Sequence, residues 1–322
     1  MPYLTWGVVA LLGLAAVTSV LVVVGSGVLA LLHDMLPVIL GAAWVVLAYG
    51  LVTHQWYLAA TAGLLVAFHL GMLASRMRAD PTPPWVSAAS HLTLVVANVY
   101  VGNRTPAAAA TMLVAAGADL MVVTERNCDF MLGFDQAGGH DAYPHVVDEP
   151  SGRPDYEIAI ASRVELLPGS RVIQTGSLRI VRAVVSCGER DVSIVGVHLR
   201  AATEPHGFRE WRREVAALRE YVAGLPGPVV VVGDFNSTGF RPAFTRPMRA
   251  AGLTEAHRAF GKGLTRSLKF AASGVLSALP AMARVDHAFL SDGVHVVEIG
   301  NLPRAGSDHH PFVATLAVQQ EG

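Results

Sequence analysis

Acidic, amide and imidazole side chains recur at the ends of apolar runs in the second half of this 322-residue sequence. Five of them follow an apolar run: Asn98, Glu125, His198, Asp234 and Asn236. Three others precede one: Asp286, Asp308 and His309. Carboxylate and amide oxygens are ligands that Mg²⁺ accepts, and imidazoles transfer protons or stabilise negative charge. If the fold brings these residues together, they can carry out metal-assisted chemistry on a phosphate ester.

Three of these residues offer hard oxygen ligands for a cation. Glu125, Asp308 and the carbonyl oxygen of Asn98 are expected to hold Mg²⁺, with Mn²⁺ as the other candidate. A bound cation would act as a Lewis acid on the phosphoryl group. The set contains no cysteine or serine nucleophile, and the sequence has no glycine-rich P-loop, so P-loop nucleotide hydrolysis is not supported.

The other five residues have predicted catalytic roles. Asp234 is expected to orient or deprotonate the attacking water, and Asn236 to hold the same oxygens. His309 would stabilise the charge that develops on the phosphorus centre, or protonate the leaving group, with Asp286 fixing its tautomer. His198 is expected to be a second donor to the phosphate.

Strand direction explains how the two sets can meet. Side chains just beyond the carboxyl ends of parallel strands project into one crevice. An antiparallel strand begins at the edge where its parallel neighbours end, so residues that precede such a strand reach the same crevice. Taken singly, each residue has a simpler explanation, such as a solvated strand end, a tight turn or a surface ion pair. We favour one shared cleft because all of these positions fall on one edge of the predicted sheet.

The elements that must position the cleft alternate between strands and helices. The predicted strands cover residues 92–100, 118–125, 156–162, 177–186, 191–199, 227–236, 285–291, 294–299 and 310–318. Helices are predicted over residues 105–117 and 208–225, with a further short helix after residue 236 and a long loop over 253–282. Hairpins mixed with strand–helix–strand units predict an α/β fold with two mixed sheets packed face to face and helices outside.

The first quarter of the chain has a different composition. Asp34 is the only formally charged residue in the first 75, and the mean hydropathy of the chain is +0.44. Apolar runs over residues 7–32, 36–52 and 57–74 each approach the length of a membrane span. We predict an α-helical transmembrane region of about three helices (1–75), a proline-containing linker (76–90) and a catalytic domain (91–322). A buried helical hairpin is the alternative, and a cleaved signal peptide fits poorly because no basic residue precedes the first run.

Charge distribution bears on location and partners. Arg76 and Arg78 follow the third run, which favours a multi-pass protein of the cell membrane with a cytoplasmic catalytic half, although Asp80 partly offsets them. All 24 basic residues and all but one of the 25 acidic residues lie in residues 76–322. This balance lacks the basic excess of a nonspecific nucleic-acid binder. Cys128 and Cys187 are expected to be unpaired.

The motifs "VANVY", "VVTER", "VGVHLR", "VVVVGDFNSTG", "ARVDHAFLS" and "GSDHHPF" resemble, in order, those of the endonuclease/exonuclease/phosphatase family with the deoxyribonuclease-like fold. The resemblance covers about residues 90–318, and the family it points to includes bacterial membrane-anchored members. It implies a four-layer α/β sandwich that hydrolyses phosphate esters with Mg²⁺. By the same resemblance, the eight residues keep the roles given above. Two stretches depart from the family pattern. One is "DYEIAIASR" (155–163), which stands where members often have a glycine before the strand, so that Glu157 bears on the rim of the pocket; the other is the rather apolar loop over 263–287.

These observations predict a membrane-anchored, Mg²⁺-dependent phosphoesterase with a lipid or lipid-linked headgroup as substrate. The expected partners are the lipid bilayer and the phosphate ester, with no obligate protein partner. A membrane-tethered nuclease is the first alternative, supported by four arginines that could line the cleft: Arg163, Arg179, Arg182 and Arg200. A catalytically inactive phosphate-binding module is the second.

Overall fold

The computed structural model describes residues 2–21, 27–148, 157–202, 207–269 and 271–320. Part of the first apolar run (22–26) and the first residue of the strand predicted over 156–162 lie outside the described residues, as does Phe270 in the loop over 263–287.

Two six-stranded sheets form the second part of the chain. The strands are β1 (Ser90–Asn98), β2 (Leu120–Thr124), β3 (His145–Val147), β4 (Ile158–Ser162), β5 (Arg171–Thr175), β6 (Leu178–Cys187), β7 (Arg190–His198), β8 (Val229–Asp234), β9 (Thr254–Glu255), β10 (Asp286–Leu290), β11 (Val294–Asn301) and β12 (Phe312–Val318). The first sheet has the order β11-β12-β1-β2-β4-β3 and the second β5-β6-β7-β8-β10-β9. Both are mixed, because β1–β2 and β7–β8 pair in parallel while their other neighbours pair antiparallel.

Alternating apolar residues build the core between the sheets. Val122 and Ile160 of the first sheet pack in one buried cluster with Ile194 and Val232 of the second. Residues at intervening positions face outward against helices, as expected from the two-residue period of a strand. Burial of one face of each sheet against the other is the main source of stability in this part of the chain.

Helices cover the two outer faces. The helices of this part are α6 (Pro106–Ala115), α7 (Cys128–Gln136), α8 (Gly139–Ala142), α9 (Gly207–Ala223), α10 (Pro242–Ala250) and α11 (Ala256–Ala259). Helix α9 presents Phe208, Trp211, Val215, Leu218 and Val222 at helical spacing, and all five are buried against the second sheet. Helices α6 and α7 cover the first sheet in the same way. The four-layer α/β sandwich is therefore confirmed.

Several elements were not predicted. The loop expected over 253–282 contains β9, α11 and a 3₁₀ turn at Val275–Ala278. Edge strands β3 and β5 and helices α7 and α8 were also missed. Strand β5 is mostly exposed and β3 and β9 are very short, so none carries the continuous apolar pattern that identifies a buried strand.

The first part of the chain is a set of apolar helices. They are α1 (Pro2–Leu21), α2 (Gly27–Asp34), α3 (Leu36–Ile39), α4 (Ala42–Val52) and α5 (Trp56–Met77). Tyr3–Leu21 and Trp56–Met77 are long and apolar enough to cross a membrane, and Gly27–Asp34 with Leu36–Val52 passes the same test as a pair bent by 63°. The described helices thus offer two spans, or three if the bent pair is one span.

These helices also contact the sandwich. Ala30 of α2 is buried in the cluster that contains Phe208 of α9. Helix α5 continues into the predicted linker and ends at Met77, and Asp80 pairs with Arg258 beyond it. The backbone N–H of Asp80 also donates to the Ala259 carbonyl at 2.7 Å. The segment between the two parts is therefore docked along the sandwich.

Candidate active site

The strand ends named in the sequence converge at one edge of the sandwich. His198 is opposite Asp234 in the parallel β7–β8 pair, and Asp286 is opposite Asp234 in the antiparallel β8–β10 pair. In the first sheet, Asn98 ends β1 and Glu125 directly follows β2. The structure brings the eight predicted residues to this edge, as the strand directions require.

Asp234 lies at the centre of the cluster. It is 2% exposed, and its Oδ2 accepts from Asn98 Nδ2 at 3.0 Å. The same oxygen is 3.8 Å from the Nε2 atoms of both His198 and His309. Its Oδ1 accepts the backbone N–H of Asn236 at 2.8 Å. Burial and the nearby Asp286 charge raise the pKa of Asp234, with partial opposition from the two imidazoles.

His309 is held by a second buried acid. Its Nδ1 is 2.8 Å from Asp286 Oδ2. Burial alone would lower the pKa of His309, but the charge and hydrogen bond of Asp286, with Asp234 and Asp308, raise it to about 10. Although burial opposes ionisation of Asp286 as well, the His309 imidazolium lowers the pKa of that carboxyl. At neutral pH this pair is an imidazolium–carboxylate ion pair whose Nε2–H remains available to a substrate.

The turn after β8 depends on Gly233. Its φ is +137°, and a Cβ there would lie 1.9 Å from the Val197 carbonyl oxygen on the neighbouring strand. Only glycine fits this close approach, which sets the position of Asp234. Glu125 and Asn236 also have positive φ values, of 56° and 47°. Such backbone conformations are uncommon outside glycine and cluster at functional sites.

The donor set fits a hard divalent cation. Ligand atoms of Glu125, His198 and Asp234 lie within 4.8 Å of one another. Asp308 Oδ1 is buried without a hydrogen-bond partner, and it lies 4.0 Å from His309 Nε2. Burial raises the pKa of Asp308, and the Glu125 charge adds to this effect. A cation between Glu125 and Asp234 would offset the negative charge of these acids. Asp308 is not part of this set, so its role as a ligand stays a prediction.

Asn98 turns its amide nitrogen towards two of the acids. Its Nδ2 donates to Glu125 Oε1 at 2.7 Å as well as to Asp234, whereas its Oδ1 accepts the backbone N–H of Tyr100 at 2.9 Å. The Tyr100 donor fixes the orientation of the amide, so the nitrogen faces the acids. In this arrangement the amide nitrogen of Asn98 contacts the two carboxylates, and the expected role of its side-chain oxygen as a metal ligand stays a prediction.

Asn236 is anchored by the backbone next to His198. Its Nδ2 donates to the Leu199 carbonyl at 2.8 Å. One N–H of its amide is thus used to hold the side chain in place, and the side chain stays half-buried at the edge of the cluster. Glu157, flagged as a departure from the family pattern, is buried at the start of β4 with Arg126 3.7 Å away.

The four arginines proposed to line a nuclease cleft do not lie together at the cluster. Arg163 donates to the Gly117 carbonyl, which lies beyond the end of the first sheet that is farther from the cluster. Arg182 donates to Ser193, which lies at the corresponding far end of the second sheet. Arg200 pairs with Glu210 at 2.8 Å. Arg179 precedes Ile180, which is opposite Val197, and so lies level with His198. Its Nε and Nη2 are buried without a hydrogen-bond partner.

Two serines that support the site were not predicted from the sequence. Ser307 Oγ donates to the backbone carbonyl of Asn98 at 2.8 Å and accepts the backbone N–H of His309 at 3.0 Å. Ser267 Oγ accepts the backbone N–H of Asp286 at 3.3 Å. Ser307 stands inside the "GSDHHPF" motif and could have been found there, whereas Ser267 lies in a loop with no pattern.

A residue of the apolar region also reaches the catalytic edge. Asp34 Oδ1 accepts from Thr238 Oγ1 at 2.8 Å, and its Oδ2 pairs with Arg241. Arg241 stacks over the Trp211 ring at 4.6 Å, and Trp211 Nε1 donates at 2.9 Å to the carbonyl of Phe235, the residue after Asp234. As the only charge among 75 residues, Asp34 was conspicuous, but nothing in the sequence linked it to this loop.

Comparisons with known proteins agree with this architecture. The profile of the Endonuclease/Exonuclease/phosphatase family matches residues 95–309. A search of curated protein sequences finds no significant match. Among solved structures, TDP2 from D. rerio in complex with a single-strand DNA product is 15% identical, with a TM-score of 0.56, over 70% of this chain and 99% of that one.

Two further solved structures share this fold. An endonuclease/exonuclease/phosphatase protein from Beutenbergia cavernae is 18% identical with a TM-score of 0.53, over 71% of this chain and 72% of that one. SmcL is 13% identical with a TM-score of 0.53, over 70% of this chain and 99% of that one. At these identities the likeness shows a shared fold.

Proposed function

This chain belongs to the Endonuclease/Exonuclease/phosphatase family of metal-dependent phosphoester hydrolases, and we propose that it is a membrane-anchored, Mg²⁺-dependent phosphoesterase that acts on a lipid or lipid-linked headgroup. The observation that carries the proposal is the buried Asp234 between two imidazoles, with the His309–Asp286 ion pair on one side and Glu125 on the other. This arrangement supplies a base, a cationic donor and oxygen ligands within one cleft.

Each side chain has a part in the proposed reaction. Asp234 orients the attacking water and accepts its proton, for which a raised pKa suits a carboxylate. His309 stays protonated at neutral pH, so it stabilises negative charge on the phosphoryl oxygens better than it donates a proton to the leaving group. His198 is a second donor beside Asp234. Glu125 and Asp308 would hold Mg²⁺, which when bound supplies Lewis-acid activation of the phosphoryl group.

A membrane location is supported by the surface of the apolar helices. Large apolar side chains are exposed along α1, α4 and α5, including Leu11, Val45 and Leu64 at 69%, 72% and 74%. A continuous apolar surface of this kind marks contact with a membrane or a partner. We assign it to three membrane crossings, which place Arg76 and Arg78 on the same side as the catalytic domain, the cytoplasmic side by the positive-inside rule.

Exposed Cys128 permits a direct test of this orientation, since Cys187 is buried. A membrane-impermeant maleimide should label Cys128 only after the cells are permeabilised. Cys128→Ser is the control that assigns the label. Labelling of intact cells would place the catalytic domain outside.

A membrane-tethered nuclease is the alternative function, with the same chemistry. The unpartnered Arg179 supports it, and TDP2 was solved with a single-strand DNA product. The formal charge balance of residues 76–322 favours the lipid substrate.

The test uses the full-length protein, purified in detergent with Mg²⁺. It is offered a total membrane lipid extract and, separately, single- and double-stranded DNA and RNA, with Asp234→Asn as the blank. Release of a phosphorylated headgroup or of phosphate from lipid supports the proposal. Cleavage of nucleic acid alone would establish the nuclease. If the unaltered protein released no more product than Asp234→Asn from any substrate, hydrolysis of lipid and of nucleic acid would both be contradicted. That result would favour the phosphate-binding module.

A further inference from the structure

A cavity of about 380 Å³ lies where the apolar helices meet the sandwich. Apolar side chains line its helix side: Pro37, Val38 and Leu73. The loops of the sandwich line the other: Thr238–Phe240, Gly263–Arg266 and Met282–Arg284. None of the eight predicted site residues lines this cavity, so it is separate from the cleft.

Three arginines line the cavity: Arg76, Arg266 and Arg284. Arg76 contacts the Gly239 carbonyl and lies over the Phe240 ring, and Arg266 Nη1 donates to the Ala281 carbonyl at 3.1 Å. Across the described ranges, no ion pair within 4.0 Å joins any of the three to a carboxylate. Arg76 and Arg266 each keep further N–H groups beyond these contacts.

Arg284 differs because its donors are used. Its Nε donates to the Thr265 carbonyl at 2.9 Å, Nη1 to the Asp286 carbonyl at 3.2 Å and Nη2 to Asn301 at 2.7 Å. It is only 5% exposed, so its positive charge acts on the cavity from a buried position where water screens it little.

The two acids that line the cavity are already paired. Asp34 binds Arg241, which does not line the cavity. Glu255 Oε1 lies 3.2 Å from His257 Nδ1 and 3.3 Å from His287 Nδ1. The Glu255 charge also acts on Arg76 and Arg284 and offsets part of their charge. Three arginines against this one acid still leave a positive excess in a partly enclosed space, which favours an anionic ligand.

The position of the cavity indicates the source of that anion. Arg76 is in the last turn of α5, the candidate span that leads into the sandwich. Val38 lines the cavity and is 63% exposed, so the cavity wall continues into the outward apolar surface of the helices. A ligand with a charged head and an apolar chain would satisfy both parts of this wall.

We propose that this cavity binds the phosphate group of an anionic membrane lipid, with the head at Arg76 and Arg266 and the chain along Val38. The inference rests on the proposed membrane location but concerns a second site, separate from hydrolysis. Such a lipid would contact Thr238 and His287, which are close in sequence to Asn236 and Asp286. Free phosphate carries the same charged group and is the competing source.

The experiment measures lipid retention in the Asp234→Asn background, so that turnover plays no part. The protein is reconstituted in nanodiscs of four parts phosphatidylcholine to one part phosphatidylglycerol. It is then released from the nanodiscs, and native mass spectrometry measures the lipid that stays bound. Adding Arg266→Gln should reduce retained phosphatidylglycerol about tenfold, since one charge-assisted contact is lost. Arg266→Lys should keep part of it. Arg219→Gln, on an exposed position of α9, is the matched control and should change nothing.

A second variant and a competitor complete the test. Val38→Trp fills the chain path from an exposed position, so it should also lower retention without disturbing the fold. Equal retention in the parent, Arg266→Gln and Val38→Trp proteins would overturn the proposal, as would equal retention of phosphatidylcholine. Displacement of phosphatidylglycerol by equimolar inorganic phosphate would overturn the lipid assignment. If the unaltered protein, which keeps Asp234, hydrolysed no substrate, the proposed function would be contradicted. The lipid-retention results would not be affected.

Discussion

His309 owes its charge to the carboxylates around it. Burial disfavours an imidazolium, yet Asp286 at 2.8 Å, with smaller effects of Asp234 and Asp308, raises the pKa of His309 to about 10. A histidine in this state is a fixed cationic donor over the whole neutral range. Asp286 therefore sets the protonation state of His309 in addition to orienting its ring.

Asp286→Asn should change the pH dependence of turnover. The amide cannot supply the charge that raises the His309 pKa, so that pKa should fall and the imidazolium should be lost at lower pH. We expect lower kcat at neutral pH and an activity decline on the alkaline side that starts well below that of the unaltered protein. A pH–rate profile with Mg²⁺ measures this, and Asp292→Asn, an exposed position, is the control. Superimposable profiles would remove Asp286 from the mechanism.

Arg179 should bind a substrate oxygen. Its Nε and Nη2 are buried without partners, and it lies level with His198. A charge-assisted hydrogen bond is worth about 1.5–3 kcal/mol, so Arg179→Gln should raise KM at least about tenfold with a smaller change in kcat. Arg182→Gln on the same strand, whose guanidinium binds Ser193, is the control. Unchanged KM in Arg179→Gln would show that the guanidinium does not meet the substrate.

At the scale of residues, the sequence predicted which side chains meet at one edge of the sandwich better than it predicted their orientation. The positions of Asp234, His309 and Asp286 follow from strand ends and family motifs. Asn98 shows the limit, because the choice between its amide nitrogen and its carbonyl depends on the Tyr100 N–H. That contact is set by the backbone after β1, which no local pattern specifies.

At the level of elements, the segment β9–α11 places a buried acid between two imidazoles. Although burial opposes ionisation of Glu255, its hydrogen bonds and charge contacts with His257 and His287 hold its pKa well below the ordinary range. Burial lowers the pKa of His257 to about 4, against a partial opposing effect of Glu255. The segment was predicted to be a loop because its strand and helix are too short to show a period.

This cluster predicts loss of stability in mild acid. Between about pH 6.5 and 4 the unfolded chain protonates His257 while the folded chain does not, so the free energy of unfolding falls as pH falls. Two to three pKa units correspond to about 3 kcal/mol. Glu255 adds to the loss as pH drops through its folded pKa. Urea unfolding across this window should show a shallower pH slope for His257→Gln than for His91→Gln, an exposed control. Equal slopes would exclude His257 as the source.

Over the whole molecule, the apolar helices and the sandwich share buried contacts. Asp34 joins the break between α2 and α3 to Thr238 and Arg241, two residues close behind Asn236. The sequence predicted two parts separated by a linker, since composition changes sharply at residue 76. It could not predict their contact, because docking depends on which loops of the sandwich face the helices.

Asp34→Asn should weaken both stability and catalysis. Arg241 is 2% exposed, and removal of its partner leaves a buried charge, at a cost of about 3 kcal/mol or more. The unfolding temperature in detergent should fall, and kcat should fall with it because the loop after Asp234 loses its support. Asp80→Asn is the control at the same junction: its ion pair with Arg258 is about one-third exposed, so little change is expected. Equal changes in unfolding temperature and kcat in the two variants would show that Asp34 does not support Arg241 and the loop after Asp234.

The position of β12 has a consequence for biosynthesis. In the first sheet this strand lies between β11 and β1, so a ribosome makes it after every other strand of both sheets. Until then β1 lacks one of its neighbours, and Asp308 and His309 are far from Asp234 or not yet made. The two strands that flank the site in the first sheet therefore stay incomplete until β12 pairs with β1, so the cluster around Asp234 assembles late, whatever parts of the chain have folded before it.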